Sequence, residues 1–258
     1  MYLESVKNIS QAAKLKIEYL RRSLVAYMVA STLAGTYIGI GVVLIFAIGA
    51  PLAAVDSIFL KFLMGASFGI ALTLVVFAGA ELFTGNNMFM AIGLIKREVR
   101  VGELLRVWFF SWSGNLIGSM LLAYLVVYSG AVSQAAPFIE KVSVAKMHMP
   151  ALQLFLRGIL CNWLVCLALW TSSRTKSDAA KCILIFWCLF AFIASGYEHS
   201  IANMTLLSMS LFFPHGDMVS WFGFARNLFY VSIGNIIGGS FFVGALYCFA
   251  SHKEEDRK

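Results

Sequence analysis

The chain has 258 residues, 60% of them hydrophobic and only 13% charged, with a formal net charge of +7. A water-soluble domain cannot hide that much apolar surface, so the soluble classes are excluded and lipid is the solvent. The positive charge sits in a few short segments, where it sets membrane orientation and does not mark a nucleic-acid surface.

Residues 1–23 come first. Leu3, Val6, Ile9, Ala13, Ile17, Leu20 and Leu24 recur at helical spacing among Lys and Arg, the pattern of an amphipathic helix lying along the cytoplasmic face. A cleavable signal peptide is not expected, because the apolar run starts late and is far too long. Six apolar runs follow, at about 24–49, 59–95, 106–129, 150–171, 181–213 and 226–250. About 20 such residues cross a bilayer as a helix, whereas an outer-membrane barrel would show alternating segments of ~10 residues. The fold class is therefore an all-α membrane protein with six transmembrane helices. A single channel domain fills 1–258, and 251–258 form a cytoplasmic tail. With both termini cytoplasmic, the inner segments hold all but Lys61, Lys141, Lys146, Arg157 and Arg226 of the 20 basic residues.

The second and fifth runs are too long for one crossing, and both carry polar residues at mid-depth. "FAGAELFTGNNMF", 77–89, brings Glu81, Thr84, Asn86 and Asn87 with Gly79 and Gly85. "ASGYEHSIANM", 194–204, brings Gly196, Glu198, His199 and Asn203. These stretches predict broken helices. A break strands backbone N–H and C=O groups, each costing several kcal/mol in hydrocarbon, so it survives only inside protein or beside a wet cavity. Gly79 and Gly85 supply the backbone freedom. Glu81, Glu198, Thr84 and the asparagines are expected to accept bonds from the freed amides. The alternative for the two acids is a proton relay; a structural role suits them better, because each sits where a helix restarts.

"SGNLIGS" at 113–119 in the third run returns as "IGNIIGG" at 233–239 in the sixth, and the broken stretches recur at nearly the same interval. Two halves of three spans each, 24–129 and 130–250, are then inverted repeats, because three crossings reverse direction. Broken helices in inverted repeats mark a transport fold with its site at mid-membrane. Glycines four apart, such as Gly114 and Gly118, let helices approach closely, and Asn115 and Asn235 read as interhelical glue. Cys161, Cys166, Cys182, Cys188 and Cys248 all fall in spans without metal-ligand spacing, so they are read as packing residues, with no disulfide and no metal.

His199 is the histidine that lies away from the membrane edges. An ionisable group within a span is a functional candidate, and imidazole, with an ordinary pKa of about 6.5, can hold or lend a proton at physiological pH. Asn162, in the fourth span, and Asn203, one turn beyond His199, can bond a small anion without adding fixed charge, or can hold helices together. Phe68, Leu72, Leu82, Phe83 and Phe192 can form dry constrictions that hinder hydrated ions.

"FAGAELFTG", "GILCNWLVCLA" and "ASGYEHSIANM" together resemble the three signature regions of the formate/nitrite transporter family, in order and over nearly the whole chain. Within it, "ELFTGNNMF" and "LCNWLVCLA" are most similar to its nitrite channels. The resemblance implies an aquaporin-like homopentamer with one pore per protomer in a bacterial inner membrane. It implies passage of nitrite, formate or hydrosulfide; a proton held at His199 is expected to take part in that passage, and no cofactor is expected. It likens His199 to a central pore histidine and Thr84 to its partner on the loop breaking the second span. It likens Asn162 and Asn203 to a polar wall, Phe68 and Phe192 to an outer slit, and Leu72 and Leu82 to an inner one. Lys146 is similar to a basic residue that draws anions into the outer vestibule.

Two rivals remain at this stage. A neutral-solute pore would normally carry Asn-Pro-Ala at both breaks, and the prolines at 51, 137, 150 and 214 lie outside them. A membrane enzyme or proton-pumping subunit would need a cofactor site or a continuous chain of acids. Two glutamates and one histidine make a poor relay.

Overall fold

A computed structural model describes residues 2–255, with side chains for 2–251; the last part of the expected tail, 256–258, lies outside the described residues. The protein is all-helical. The helices are α1 (Leu3–Arg22), α2 (Leu24–Ala54), α3 (Leu60–Ser67), α4 (Gly69–Leu74), α5 (Phe83–Ile95) and α6 (Val101–Tyr128), then α7 (Ala136–His148), α8 (Ala151–Ser172), α9 (Asp178–Ala194), α10 (Ser200–Phe212), α11 (Trp221–Gly239) and α12 (Leu246–Glu255). A π-helical turn, Val75–Gly79, continues α4, and a second, Ser240–Ala245, joins α11 to α12.

Five helical stretches are long and apolar enough to cross a membrane: 24–54, 60–79, 101–128, 151–172 and 221–251. The sixth crossing is α9 with the shorter apolar α10. The two long runs of the sequence are thus each a crossing helix followed by a break and a second helix. Those second helices, α5 and α10, have 13 residues each, or roughly 20 Å at 1.5 Å per residue. Every residue from Ser200 to Ser210 is buried, and so is every one from Phe83 to Met88. A helix covered all round starts inside protein, not in lipid.

The helix pairs α2–α6 in the first half and α8–α11 in the second each hold their own half together by close backbone contact. A Cβ on Gly118 would lie 1.9 Å from the carbonyl oxygen of Thr32, and one on Gly238 would lie 2.3 Å from that of Ile159. No larger residue fits there without moving a helix. The repeated "GN-x-IG" stretches are these two seams.

The N-terminal helix departs from expectation. Its apolar stripe does not lie on lipid: Val6 and Ile9 pack with Met88 and Ile92, and Ala13, Ile17 and Leu20 pack with Tyr27, Met90, Val99 and Leu104. The stripe finds a matching protein surface, because α5 starts deep and presents its own apolar side to α1. Each fully buried aliphatic side chain there is worth roughly 1.5–3 kcal/mol over exposure to water. The α1 helix is therefore part of the bundle. Ser23, accepting from the Ala26 amide at 3.1 Å, turns the chain from α1 into α2.

Candidate functional site

The two breaks are built alike. Gly79 and Gly196 adopt left-handed backbone, φ +79° and +71°, the region where glycine escapes the Cβ clash. Beyond each glycine the amide of the glutamate reaches a neighbouring helix: Glu81 N–H donates to the Ala30 carbonyl at 3.2 Å and Glu198 N–H to that of Arg157 at 3.3 Å. The first amide of each restarted helix goes to an asparagine: Phe83 N–H donates to Asn115 Oδ1 and Ser200 N–H to Asn235 Oδ1, both at 2.9 Å. Asn115 Nδ2 donates in turn to the carbonyls of Ser31 and Glu81; Asn235 Nδ2 donates to those of Gly158 and Glu198. Each asparagine thus joins three backbone groups, each of which would cost about 1–3 kcal/mol if buried without a partner.

That corrects two expectations. The carboxylates do not accept from freed amides; the asparagines of the glycine seams have taken those, and the carboxylates face side chains. Lys16 Nζ donates to both oxygens of Glu81, at 2.8 and 2.9 Å, with Tyr27 Oη and Asn86 Nδ2 also donating to Oε2. Lys146 Nζ donates to Glu198 Oε1 at 2.6 Å, and Asn203 Nδ2 to Oε2 at 2.7 Å. Gly85, expected to free the backbone, instead lies inside α5. Its lack of a side chain serves packing, since a Cβ there would stand 2.8 Å from Leu169 Cδ1.

At the centre, Thr84 Oγ1 and His199 Nε2 are 3.0 Å apart, both residues buried. His199 is the N-cap of α10: its Nδ1 accepts from the Ala202 amide at 3.2 Å. A nitrogen that accepts carries no proton, so the neutral ring holds its proton on Nε2 and donates it to Thr84 Oγ1. The Thr84 hydroxyl hydrogen then has no acceptor among the described residues. A second proton on the ring would go to Nδ1 and would break the cap. The Phe192 ring lies nearly parallel to His199, with centroids 5.9 Å apart.

Two cavities approach this pair from opposite faces and share no lining residue. One, of about 480 Å³, is lined by Lys16, Gly79, Glu81, Leu82, Gly85, Asn86 and Lys181 among others. The other, of about 150 Å³, is lined by Phe68, Lys146, Phe192, Gly196, His199 and Asn203 among others. Phe68 meets Phe192 edge to face, with centroids 5.4 Å apart. Leu72, Leu82 and Phe83 are buried in the same apolar cluster as these two rings, and none of them can bond a hydrated ion.

Asn162 stands behind the pair. Its Nδ2 lies within bonding distance of the Thr84 carbonyl, Asn87 Oδ1 and the Asn235 carbonyl, the last at 2.7 Å. It ties the first break to the second. Asn203 faces the smaller cavity while holding Glu198 and Asn227 Oδ1. Sequence reasoning missed Lys16 and Tyr27 as partners of Glu81. Lys16 had one usable signal, a basic residue beside the apolar stripe of α1; Tyr27 had none.

The comparisons agree with this architecture. A family model described as formate/nitrite transporter matches residues 3–249. The nitrite transporter NirC of Escherichia coli K12 is 45% identical over 229 residues, 88% of this chain and 84% of that protein. A solved structure described as an FNT family ion channel is 40% identical with a TM-score of 0.91, covering 96% of this chain and 98% of its own. Another, a pentameric formate channel with formate bound, is 28% identical with a TM-score of 0.79, covering 90% and 99%.

Proposed function

The chain belongs to the formate/nitrite transporter family, and on that premise we propose that it passes nitrite across the bacterial inner membrane through a pore in each protomer of a homopentamer. The observation that carries this reading is the Thr84–His199 contact, set between two cavities that open to opposite faces. The likeness to NirC supports nitrite as substrate. The likeness to a pentameric formate channel supports the assembly and keeps formate as the competing substrate. The distribution of Lys and Arg supports both termini in the cytoplasm, which makes the α1 side the inner one.

In this mechanism an anion enters the outer cavity past the paired Lys146 and Glu198, and Phe68 with Phe192 strips its water. The Thr84 hydroxyl, its oxygen already accepting from His199, turns its hydrogen to the anion. Asn162 keeps that hydroxyl in position through the Thr84 backbone. Leu72 and Leu82 bound the dry stretch on the inner side, and Glu81, Glu198 and Phe83 hold its walls. A bare charge crosses such a stretch poorly, so a proton travels with the anion for part of the way. His199 joins that step when its ring takes a second proton at Nδ1, which releases the Ala202 amide and loosens the first turn of α10.

The test is flux through purified protein in liposomes, with nitrite, formate and hydrosulfide compared at two pH values. Nitrite flux at least equal to formate flux supports the assignment. Formate flux with none for nitrite would move the protein to the formate branch, and the absence of any anion flux would reject transport.

A further inference from the structure

We infer that Lys181 is an anion-collecting site at the mouth of the α1-side cavity, binding small monovalent anions and making the two faces of the pore unequal. The inference rests on the anion-transport reading above and extends it to a residue outside the two breaks. In both cavities the lysine at the break is matched by a glutamate: Lys16 by Glu81 at 2.8 Å, Lys146 by Glu198 at 2.6 Å. Those ion pairs cancel in formal charge, and the glutamates are held by further donors as well. Lys181 lines the same cavity as Lys16, and its carboxylate partner does not. Asp178, 2.8 Å from Lys181 Nζ, is 73% exposed and stands outside the lining. A pair with so exposed a carboxylate is screened by solvent and holds its partner weakly.

The cavity on the other face has no such residue. Among the described residues lining it, Lys146 alone carries a basic side chain of Lys or Arg, and its charge is balanced by Glu198. Lys181 also lies close to the first break: its Nζ is 6.0 Å from the centroid of Phe77, in the π-helical turn that ends at Gly79. A cation lining a partly enclosed mouth, with its counter-charge out in solvent, raises the local concentration of anions and their rate of capture. One charge at roughly 7 Å, in a solvated mouth with an effective dielectric constant of about 35 to 80, changes anion occupancy by about threefold to tenfold.

The experiment uses the full chain in vesicles of both orientations, with nitrite as the probe. Sustained flux and the initial nitrite-evoked charge displacement are recorded for wild type, Lys181→Gln and Lys181→Arg. With Gln, the half-saturating nitrite concentration should rise about threefold to tenfold for nitrite arriving from the α1 side. It should stay unchanged from the α7 side, maximal flux should persist, and Arg should restore wild-type behaviour. An equal rise from both sides, or no rise, overturns the site. If the Gln protein assembles poorly, the wild type still decides. Raising inert salt from about 10 to about 150 mM shortens the screening length to about 8 Å, so it must weaken nitrite capture more on the α1 side; equal weakening overturns the site. Charge displacement that Lys181→Gln diminishes, in protein that sustains no flux, would reject transport and leave the binding site standing.

Discussion

Leu82 and His199 occupy the same position in the two halves. Each is the N-cap of the helix restarting after a break, yet Leu82 leaves its helix without a side-chain cap, while His199 accepts from the Ala202 amide. The scaffold around them is repeated, from the left-handed glycines to the asparagine clamps. The cap position is where the halves part, one toward a dry wall and the other toward a titratable ring.

His199→Asn is therefore an informative substitution. Asparagine is a good N-cap and stays polar, but it does not titrate. The protein should fold and pass anions, and should lose most of the pH dependence of its flux. Nitrite-driven current and internal pH, recorded together in liposomes, measure it. An unaltered pH profile would remove His199 from the proton step.

His199→Leu copies the state of Leu82. It removes the cap, costing about 0.5–2 kcal/mol, and leaves Thr84 Oγ1 without its donor. Flux per assembled protein should fall at least tenfold, while the protein still elutes as an intact oligomer in detergent. Flux near the wild-type level would show that the Thr84–His199 contact is dispensable.

The glutamates should behave as structural acids. Removing the carboxylate of Glu198 leaves Lys146 a largely buried cation without its partner, and breaking such a pair costs about 3–5 kcal/mol. Glu198→Ala should lower folded yield more than flux per assembled protein, and the Lys146→Ala/Glu198→Ala double variant should lose less stability than the two single losses added. Additive losses, seen in thermal unfolding in detergent, would deny the coupling.

Two glycines should give opposite results. At Gly85 the obstructing atom is the end of the Leu169 side chain, which can swing aside, so Gly85→Ala should assemble nearly normally. At Gly118 the obstruction is the Thr32 backbone carbonyl at 1.9 Å, so Gly118→Ala should abolish the folded protein. Yield after membrane extraction distinguishes them, and a normal yield from Gly118→Ala would contradict the close α2–α6 seam.

Topology is open to a direct check. Reporters fused after Lys258 and within residues 97–103 should both give cytoplasmic signals, because the basic residues flanking those points are retained inside. A periplasmic signal from either would overturn the six-span arrangement.

Much of this was legible before any coordinates. Apolar run lengths gave the spans, and buried polar residues between glycines gave both breaks, because hydrocarbon tolerates neither without a reason. The same logic together with the family motifs singles out Thr84 and His199, which lie 3.0 Å apart. What stayed hidden was which donor meets which acceptor. Asn115 and Asn235 lay inside the clearest repeat, yet glue and clamp need the same residue in the same place. Glu81 reads as a partner of backbone amides, because a sequence does not reveal that α1 folds inward and carries Lys16 to it. A positive stripe on an amphipathic helix reads the same over lipid as over protein.

The order of the two ion pairs along the chain has a consequence for synthesis. Lys16 precedes Glu81 by 65 residues and Lys146 precedes Glu198 by 52, so in both halves the base leaves the ribosome before the acid. A carboxylate delivered into the bilayer meets a waiting counter-charge. The clamps come in the reverse order: Asn115 follows Glu81 by 34 residues, and Asn235 follows Glu198 by 37. Neither break can close until the third helix of its own half has been made. Each half is thereby a natural unit of insertion, opened by a lysine and sealed by an asparagine, and a nascent chain stalled between the two would present the translocon with an unsealed helix break.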